Sequence, residues 1–296
     1  MRAPHPIREW RPPRSLLVLH DLSAQAGHAA ARAAMIARDH GAELVLLHAC
    51  ADVKAGHGPR RVLDRVAGEL SAAFGIAAAV RMVQGDPLRA LMAARDSALL
   101  VVLGAQRANV LREWLFGTPA ERLIRLSGCP VLVVKKPPVA PYSRVLVPVD
   151  FGPHAGTALT AAANLSRPAP VELFHSLGMH DQVSLRAGDV PEAQRRRYRE
   201  RHAERARRRM YELIQGVPGV ALVAPSIGFG EPASMVLTKE RAMRADLVVI
   251  GKQRRCALAD FFLGSTTQRV LAGSRSDVLV LPGASRRPLA ADGLAA

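Results

Sequence analysis

The stretch ADLVVIGKQR, from Ala245 to Arg254, repeats ALLVVLGAQR, from Ala98 to Arg107, almost residue for residue. Each is a short run of Val, Leu and Ile that stops at glycine and turns polar. Continuous apolar runs of this length, without polar alternation, are the pattern of strands buried on both faces of a parallel sheet. A repeat this close, far apart in one chain, asks whether the whole fold is present twice.

It extends in both directions. SLLVLHDLS (Ser15 to Ser23) answers RVLVPVDFG (Arg144 to Gly152), and AELVLLHAC (Ala42 to Cys50) answers APVELFHSL (Ala169 to Leu177). VQGDPLRAL (Val83 to Leu91) answers GFGEPASMV (Gly228 to Val236), and FGTPAERLIRLSGCPVLVV (Phe116 to Val134) answers LGSTTQRVLAGSRSDVLVL (Leu263 to Leu281). The spacing is 150−21=129 for the aspartates Asp21 and Asp150, but 251−104=147 for Gly104 and Gly251. The second half therefore carries about twenty extra residues between its second and third strands. KKPPVAPYS (Lys135 to Ser143), rich in proline, joins the halves.

Strands are expected at 16–20, 43–48, 78–83, 99–103 and 131–134, and at 144–149, 171–175, 221–226, 246–250 and 278–281. Helices fill the gaps, as right-handed crossovers require. Each half is thus a five-stranded α/β unit. The added segment, Pro191 to Gly216, spaces Ala203, Ala206, Met210, Leu213 and Ile214 as one helical stripe and covers the remainder with arginine. Its expected role is a solvated helix packed on the sheet, with docking of an acidic partner as the alternative.

Composition limits the function classes. The chain has 296 residues, 49% hydrophobic but only 4% aromatic, which suits a core of Ala, Val and Leu and excludes a disordered chain. A formal charge of +16 allows attraction to nucleic acid, anionic membrane or acidic ligands. No aromatic-interleaved basic face or reading motif accompanies it, so nucleic acid is not an expected partner. Cys50, Cys129 and Cys256 are far apart and form no CxxC, pointing to a reducing compartment without disulfides or zinc. The N-terminus shows no apolar signal core, and the longest apolar runs fall well below the ~18–20 residues of a membrane span. The expectation is a soluble cytoplasmic protein with no membrane partner.

Ligands of open parallel sheets sit at the carboxyl ends of strands, where the strand order switches. Gly251 follows the fourth strand of the second half, and Gly264–Ser265 opens the next helix after an insert. A helix N-terminus offers free N–H groups to phosphate, glycine permits close approach, and Ser or Thr adds a donor. Asp150 ends the first strand at the same edge, within reach of a ribose hydroxyl or a metal-bound phosphate. The same residues also make an ordinary capped loop, and spacing alone leaves both readings open.

Taken together, VLVPVDFG, the LLH and LFH ends of the second strands, ADLVVIGKQR…LGST and DVLVLP resemble the universal stress protein family, twice over. LLVLHDLS, LVVLGAQR…FGTPAERL and CPVLVV carry the likeness in the first half. It covers about residues 14–136 and 143–283, with the basic helical insertion at about 191–216. The resemblance implies two doubly wound, Rossmann-like five-stranded parallel sheets of strand order 3-2-1-4-5, paired through their last strands as an intramolecular pseudo-dimer. For one subgroup it implies ATP binding, through Gly-x-x-Gly, nine residues, then Gly-Ser or Gly-Thr. Here the second half reads Gly251-Lys-Gln-Arg254, nine residues, Gly264-Ser265, and the first reads Gly104-Ala-Gln-Arg107, nine residues, Gly117-Thr118. The spacing survives and the second glycine is arginine in both. Arginine tolerates a left-handed or crowded backbone poorly, yet brings a charged fork to where phosphates would lie.

The second half is the better candidate for ATP or ADP with Mg. The resemblance puts Pro148, Asp150, Ser176, Gly251, Arg254, Gly264, Ser265 and Thr266 at the nucleotide, with Ser176 facing adenine. Asp21, Gly104, Arg107, Gly117 and Thr118 are the weaker counterparts, because Leu19 replaces the proline and Pro119 removes an N–H. His48 and His175 read as satisfied core histidines, and His20 and Asp21 as neighbours pointing to opposite faces rather than a catalytic pair. No Walker A loop, HExxH or GxSxG is present, and no base for turnover stands out, so at most slow ATP hydrolysis is expected. The alternative is a nucleotide-free interaction scaffold of the stress response. Its protein partner, and any pairing of two such chains, are left open.

Overall fold

A computed structural model of the chain describes residues 10–50, 57–85, 99–105, 129–166, 169–178, 191–217, 222–251 and 265–282. In the first half these form β1 (Ser15–Leu19), α1 (Ala24–His40), β2 (Glu43–Cys50), α2 (His57–Phe74), β3 (Ala78–Gln84), β4 (Leu99–Gly104) and β5 (Val131–Val134). In the second they form β6 (Val145–Pro148), α3 (Ala155–Leu165), β7 (Val171–Leu177), α4 (Glu192–Gln215), β8 (Leu222–Phe229), α5 (Pro232–Met243), β9 (Leu247–Gly251), α6 (Ser265–Gly273) and β10 (Asp277–Leu281).

All the strands join one ten-stranded sheet, ordered β3-β2-β1-β4-β5-β10-β9-β6-β7-β8. Pairing is parallel within each half and antiparallel where β5 meets β10. At that seam Leu132 lies opposite Leu279, flanked by Val131–Val280 and Val133–Val278. Since 279−132=147, Leu132 faces its own counterpart in the duplicated sequence, so the pairing is self-complementary, as an isologous contact must be.

The apolar runs behave as parallel-sheet strands should. Every residue of β5 and β10 is buried, so both faces are covered. On one face Leu16, Val18, Leu132, Val147 and Leu279 share a core with the alanines of α1 and α3. On the other, Leu17, Val101, Val133, Val248 and Val280 share a second core with Val236 of α5 and Val270 of α6. Both cores run unbroken across the seam. Small side chains let α1 lie close to the sheet: Ala29, Ala30, Ala33, Ala34 and Ala37 are all fully buried.

Local signals set the helix ends. The Ser23 hydroxyl accepts from the Ala26 N–H (3.2 Å) at the start of α1, and Gly41 ends it at φ 62°. The Glu231 carboxylate caps α5 through the Ala233 and Ser234 N–H groups, with Pro232 in the first turn. The arginine-rich segment is the helix α4, bounded by Pro191 and Gly216; Ala203, Ala206 and Met210 are buried, while Leu213 and Ile214 pack at the core margin. Strands β2 and β8 run beyond the expected 43–48 and 221–226, because their pairing continues to Cys50↔Gln84 and Leu177↔Phe229. No helix among the described residues is long and apolar enough to cross a membrane.

Candidate functional site

In both halves the order switches beside the first strand: β1 lies between β2 and β4, and β6 between β7 and β9. The carboxyl ends of β1 and β4, and of β6 and β9, therefore form two equivalent edges, and Asp21 and Asp150 stand on them. Each aspartate is exposed and folds the chain after it. Asp150 Oδ1 accepts from the Gly152 N–H (2.9 Å), and Asp21 Oδ1 accepts from the Ser23 N–H (3.1 Å) and hydroxyl (2.5 Å). The next residue is left-handed in both, Leu22 at φ 69° and Phe151 at φ 58°. That conformation costs a non-glycine residue about 1 kcal/mol or more, yet both halves carry it at the same place.

The histidines two residues before the ends of the second strands hold these turns. His48 Nδ1 donates to the His20 carbonyl and His175 Nδ1 to the Val149 carbonyl, each at 2.7 Å. Both rings are only part-buried, and both brace the residue just before the aspartate. The expectation of satisfied histidines holds; their position at the margin of the core adds this bracing role. Burial pushes His175 below its ordinary pKa, with the Arg209 charge acting in the same direction against the Val149 bond and Asp150.

The glycines after the fourth strands have a packing role. A Cβ on Gly104 would lie 2.4 Å from the Gln25 carbonyl oxygen, and one on Gly251 would lie 3.1 Å from His154 Cβ. The segment that follows the first strand thus presses on the end of the fourth strand, and this crowding requires glycine at Gly104 and favours it at Gly251, whether or not a ligand binds.

The halves differ in one respect at this edge. The β1–β4 ladder continues to Leu19↔Leu103, whereas the β6–β9 ladder pairs Val145↔Leu247 and Leu146↔Val248 and stops. Val145 and Val149 donate toward β7, to the Pro170 (3.5 Å) and Phe174 (2.8 Å) carbonyls, so the alternate residues Leu146 and Pro148 face β9. Proline has no N–H for that ladder. Having Pro148 where the first half has Leu19 therefore removes an N–H from this ladder and ends its pairing at the switch point of the second half.

Ser176 lies on the adjoining strand, its hydroxyl donating to the Gly230 carbonyl (3.0 Å). Ser265 is exposed at the first position of α6, with Thr266 beside it. Arg107, Gly117, Thr118, Arg254 and Gly264 lie outside the described residues. Arg209 of α4 was not distinguishable in the sequence from the other arginines of its helix. Its guanidinium lies over the Phe151 ring (4.4 Å), and Phe151 in turn contacts His175 (4.5 Å between centroids). The inserted helix so places a cation beside Asp150. Among the described residues no group of three or more His, Cys, Asp or Glu could hold a metal.

Comparison with known proteins agrees with this architecture. The chain is 26% identical over 292 residues to a universal stress protein of Mycolicibacterium smegmatis, covering 90% of this chain and 96% of that one. It is 27% identical over 209 residues to one of Mycobacterium tuberculosis, 67% of each chain. A universal stress protein structure from Archaeoglobus fulgidus superposes with a TM-score of 0.67 at 21% identity, covering 91% of this chain and 96% of that one. A protein of Pseudomonas aeruginosa described as functionally unknown gives 0.64 at 23% identity, covering 92% and 93%. The sequence model of the universal stress protein family matches twice, over residues 13–135 and 141–282, and the chain belongs to that family.

Proposed function

We propose that the protein is a cytoplasmic stress-response protein whose two fused domains, about 14–136 and 143–283, stand in for the two chains of a dimer, in the order 3-2-1-4-5 within each half. Its second domain takes ATP or ADP with Mg, and occupancy biases the binding of a protein partner. The observation that carries this reading is the early end of the β6–β9 ladder, which leaves the carboxyl ends of those strands free of mutual pairing beside Asp150 in the second half alone. Pro148, Asp150, Ser176, Gly251, Arg254, Gly264, Ser265 and Thr266 are the proposed contacts. The Asp150 carboxylate suits a ribose hydroxyl or a phosphate-bound cation, and the start of α6 suits phosphate. Asp21, Gly104, Arg107, Gly117 and Thr118, beside a closed ladder, have a mainly structural role.

Calorimetry with Mg-ATP tests this directly. Saturable heat is expected, weakened about tenfold or more by Asp150→Ala, and abolished by Gly264→Val. Absence of heat, with no nucleotide carried by the purified protein in mass spectrometry, would refute the nucleotide reading.

A second reading has its own support. Crowding by Gln25 accounts for Gly104, and contact with His154 favours Gly251, without any ligand, which suits a nucleotide-free scaffold using the solvent-facing arginines of α4. Deleting that helix would uncover Met210 and Ala206, so charge reversal of Arg199, Arg205 and Arg207 is the cleaner probe. Loss of partner capture in those variants, with wild-type nucleotide behaviour, would favour the scaffold.

A further inference from the structure

A cavity of about 530 Å³ lies on the seam between the halves, at the amino-terminal edge of β6, β9 and β10. It is at the opposite edge of the sheet from Asp150. Five exposed cations line it: Lys136 after β5, Arg144 before β6, Arg241 and Arg244 at the end of α5, and Arg275 before β10. None of their side chains forms an ion pair among the described residues. Arg241 and Arg244 also answer the partial negative end of α5, but Lys136, Arg144 and Arg275 belong to other elements and converge without that reason.

Of the lining carboxylates, Glu240 and Asp277 are buried and Asp246 is half-buried and engaged by the backbone. Asp246 accepts from the Ser143 N–H and hydroxyl (both 2.7 Å) and the Arg144 N–H (3.0 Å). Glu240 Oε1 accepts from the Ser274 and Ser276 hydroxyls (2.9 and 2.7 Å) and the Arg275 and Ser276 N–H groups (both 2.8 Å). Its other oxygen is buried without a hydrogen-bond partner among the described residues, in the field of the Lys135 ammonium. Asp277 is held by the Lys135 N–H and the Tyr142 hydroxyl (both 2.8 Å), with Arg32 beside it. These bonds fix the backbone from which Arg144 and Arg275 project, while the cations themselves remain available.

We infer that this seam cavity binds a condensed phosphate chain, either free or as the tail of a nucleotide. Guanidinium forks match phosphate oxygens in pairs. Five cations around an opening of this volume exceed what one orthophosphate can meet, and the volume falls in the range of ordinary ligand pockets. Among the described residues no aromatic side chain lines the cavity to stack a base, which disfavours single-stranded nucleic acid. Because Lys136 belongs to the linker and the others to the second half, the bound chain joins the two. The inference stands apart from the proposed site at Asp150.

Calorimetric titrations with tripolyphosphate and with Mg-ATP at fixed salt test it. The variants are Lys136→Gln/Arg241→Gln/Arg275→Gln, an equally discharged control on α4 (Arg196→Gln/Arg199→Gln/Arg207→Gln), and Asp150→Ala. Saturable tripolyphosphate binding is expected, weakened about tenfold or more by the seam triple and unchanged by the α4 triple. An ATP affinity lowered by the seam triple but not by the α4 triple assigns the tail of a nucleotide, whatever Asp150→Ala does at the other edge. An ATP affinity indifferent to the seam triple assigns a free chain. Equal loss in both triples would show general charge attraction and overturn the inference, as would no saturable heat. Duplex DNA binding that depends on the seam triple and resists tripolyphosphate competition would overturn it too. Urea midpoints of all variants exclude loss of fold as the cause.

Discussion

Tyr142 donates its hydroxyl to Asp277 Oδ2 across 2.8 Å, joining the linker to the last strand at a fully buried point. Arg32 of α1 completes the node. Its guanidinium lies over the Tyr142 ring (4.1 Å), donates to the Ala140 carbonyl (2.8 Å) and faces Asp277 at 3.4 Å. One side chain from each half and one from the linker therefore share a single polar cluster beneath the β5–β10 seam. Tyr142→Phe should lower unfolding free energy by about 1–3 kcal/mol, the cost of leaving a buried acceptor short of a donor. Asp277→Ala should cost more, about 3–5 kcal/mol, because it strands the Arg32 charge. Urea denaturation checks both, and a Tyr142→Phe protein as stable as wild type would show that the node does not hold the halves.

Glycine is required at the ends of the fourth strands to different degrees. At Gly104 the missing Cβ would meet backbone, Gln25 oxygen at 2.4 Å and Gln25 carbon at 2.5 Å; at Gly251 it would meet His154 at 3.1 Å or more. Gly104→Ala should therefore destabilise by about 3 kcal/mol, the upper end for overpacking, and Gly251→Ala by about 1 kcal/mol. Thermal unfolding of the two single variants gives the order, and a reversed order would contradict the packing described.

His20 occupies in the first half the position of Val149 in the second. It is buried, its Nδ1 accepts from the Leu22 N–H (3.1 Å), and its Nε2 has no partner among the described residues. Burial lowers its pKa, against the Asp21 attraction and together with the His48 repulsion, and His175 is lowered as well. The unfolded chain then takes up protons first. Stability is complete above the ordinary histidine value of about 6.5 and is lost as pH falls from there toward the folded value. Each histidine contributes at most about 1.4 kcal/mol per pH unit to that slope. His20→Val should remove one share and leave the other to His175. Unfolding free energies at a series of pH values measure this, and an unchanged slope would refute it.

The duplicated fold was legible because a parallel sheet writes itself as uninterrupted apolar runs, and each run appears twice. ADLVVIG and ALLVVLG could be read as the same strand before any contact was known. The interior of the edge was less legible. That His48 and His175 donate to the carbonyl before each aspartate depends on which ring nitrogen faces which strand, and an apolar run ending in His does not encode that. Arg209 was hidden for a different reason: every exposed face of its helix carries arginine, so only the packing of Ala203, Ala206 and Met210 selects the one that reaches Phe151. The glycines were recognised, but their crowding by Gln25 and His154 arises between segments remote in sequence.

The difference between Leu19 and Pro148 leads to the most direct test of how the edge was adapted. Leu19 keeps the β1–β4 ladder closed to Leu103, while Pro148 ends the β6–β9 ladder after Val248. Pro148→Leu should restore an N–H toward β9 and draw the two strands together beside Asp150. Closing that ladder adds about one hydrogen bond, about 0.5–1.5 kcal/mol of stability, and ties down the strand ends on which the nucleotide proposal depends. The variant should unfold at higher urea concentration and bind Mg-ATP about tenfold or more weakly. Leu19→Pro should do the reverse in the first half, losing stability without gaining affinity, since Pro119 still withholds an N–H there. Hydrogen exchange at the β9 amides follows the ladder independently of binding. A Pro148→Leu protein with slower exchange and undiminished nucleotide affinity would separate the open ladder from ligand binding and leave Pro148 as a structural feature alone.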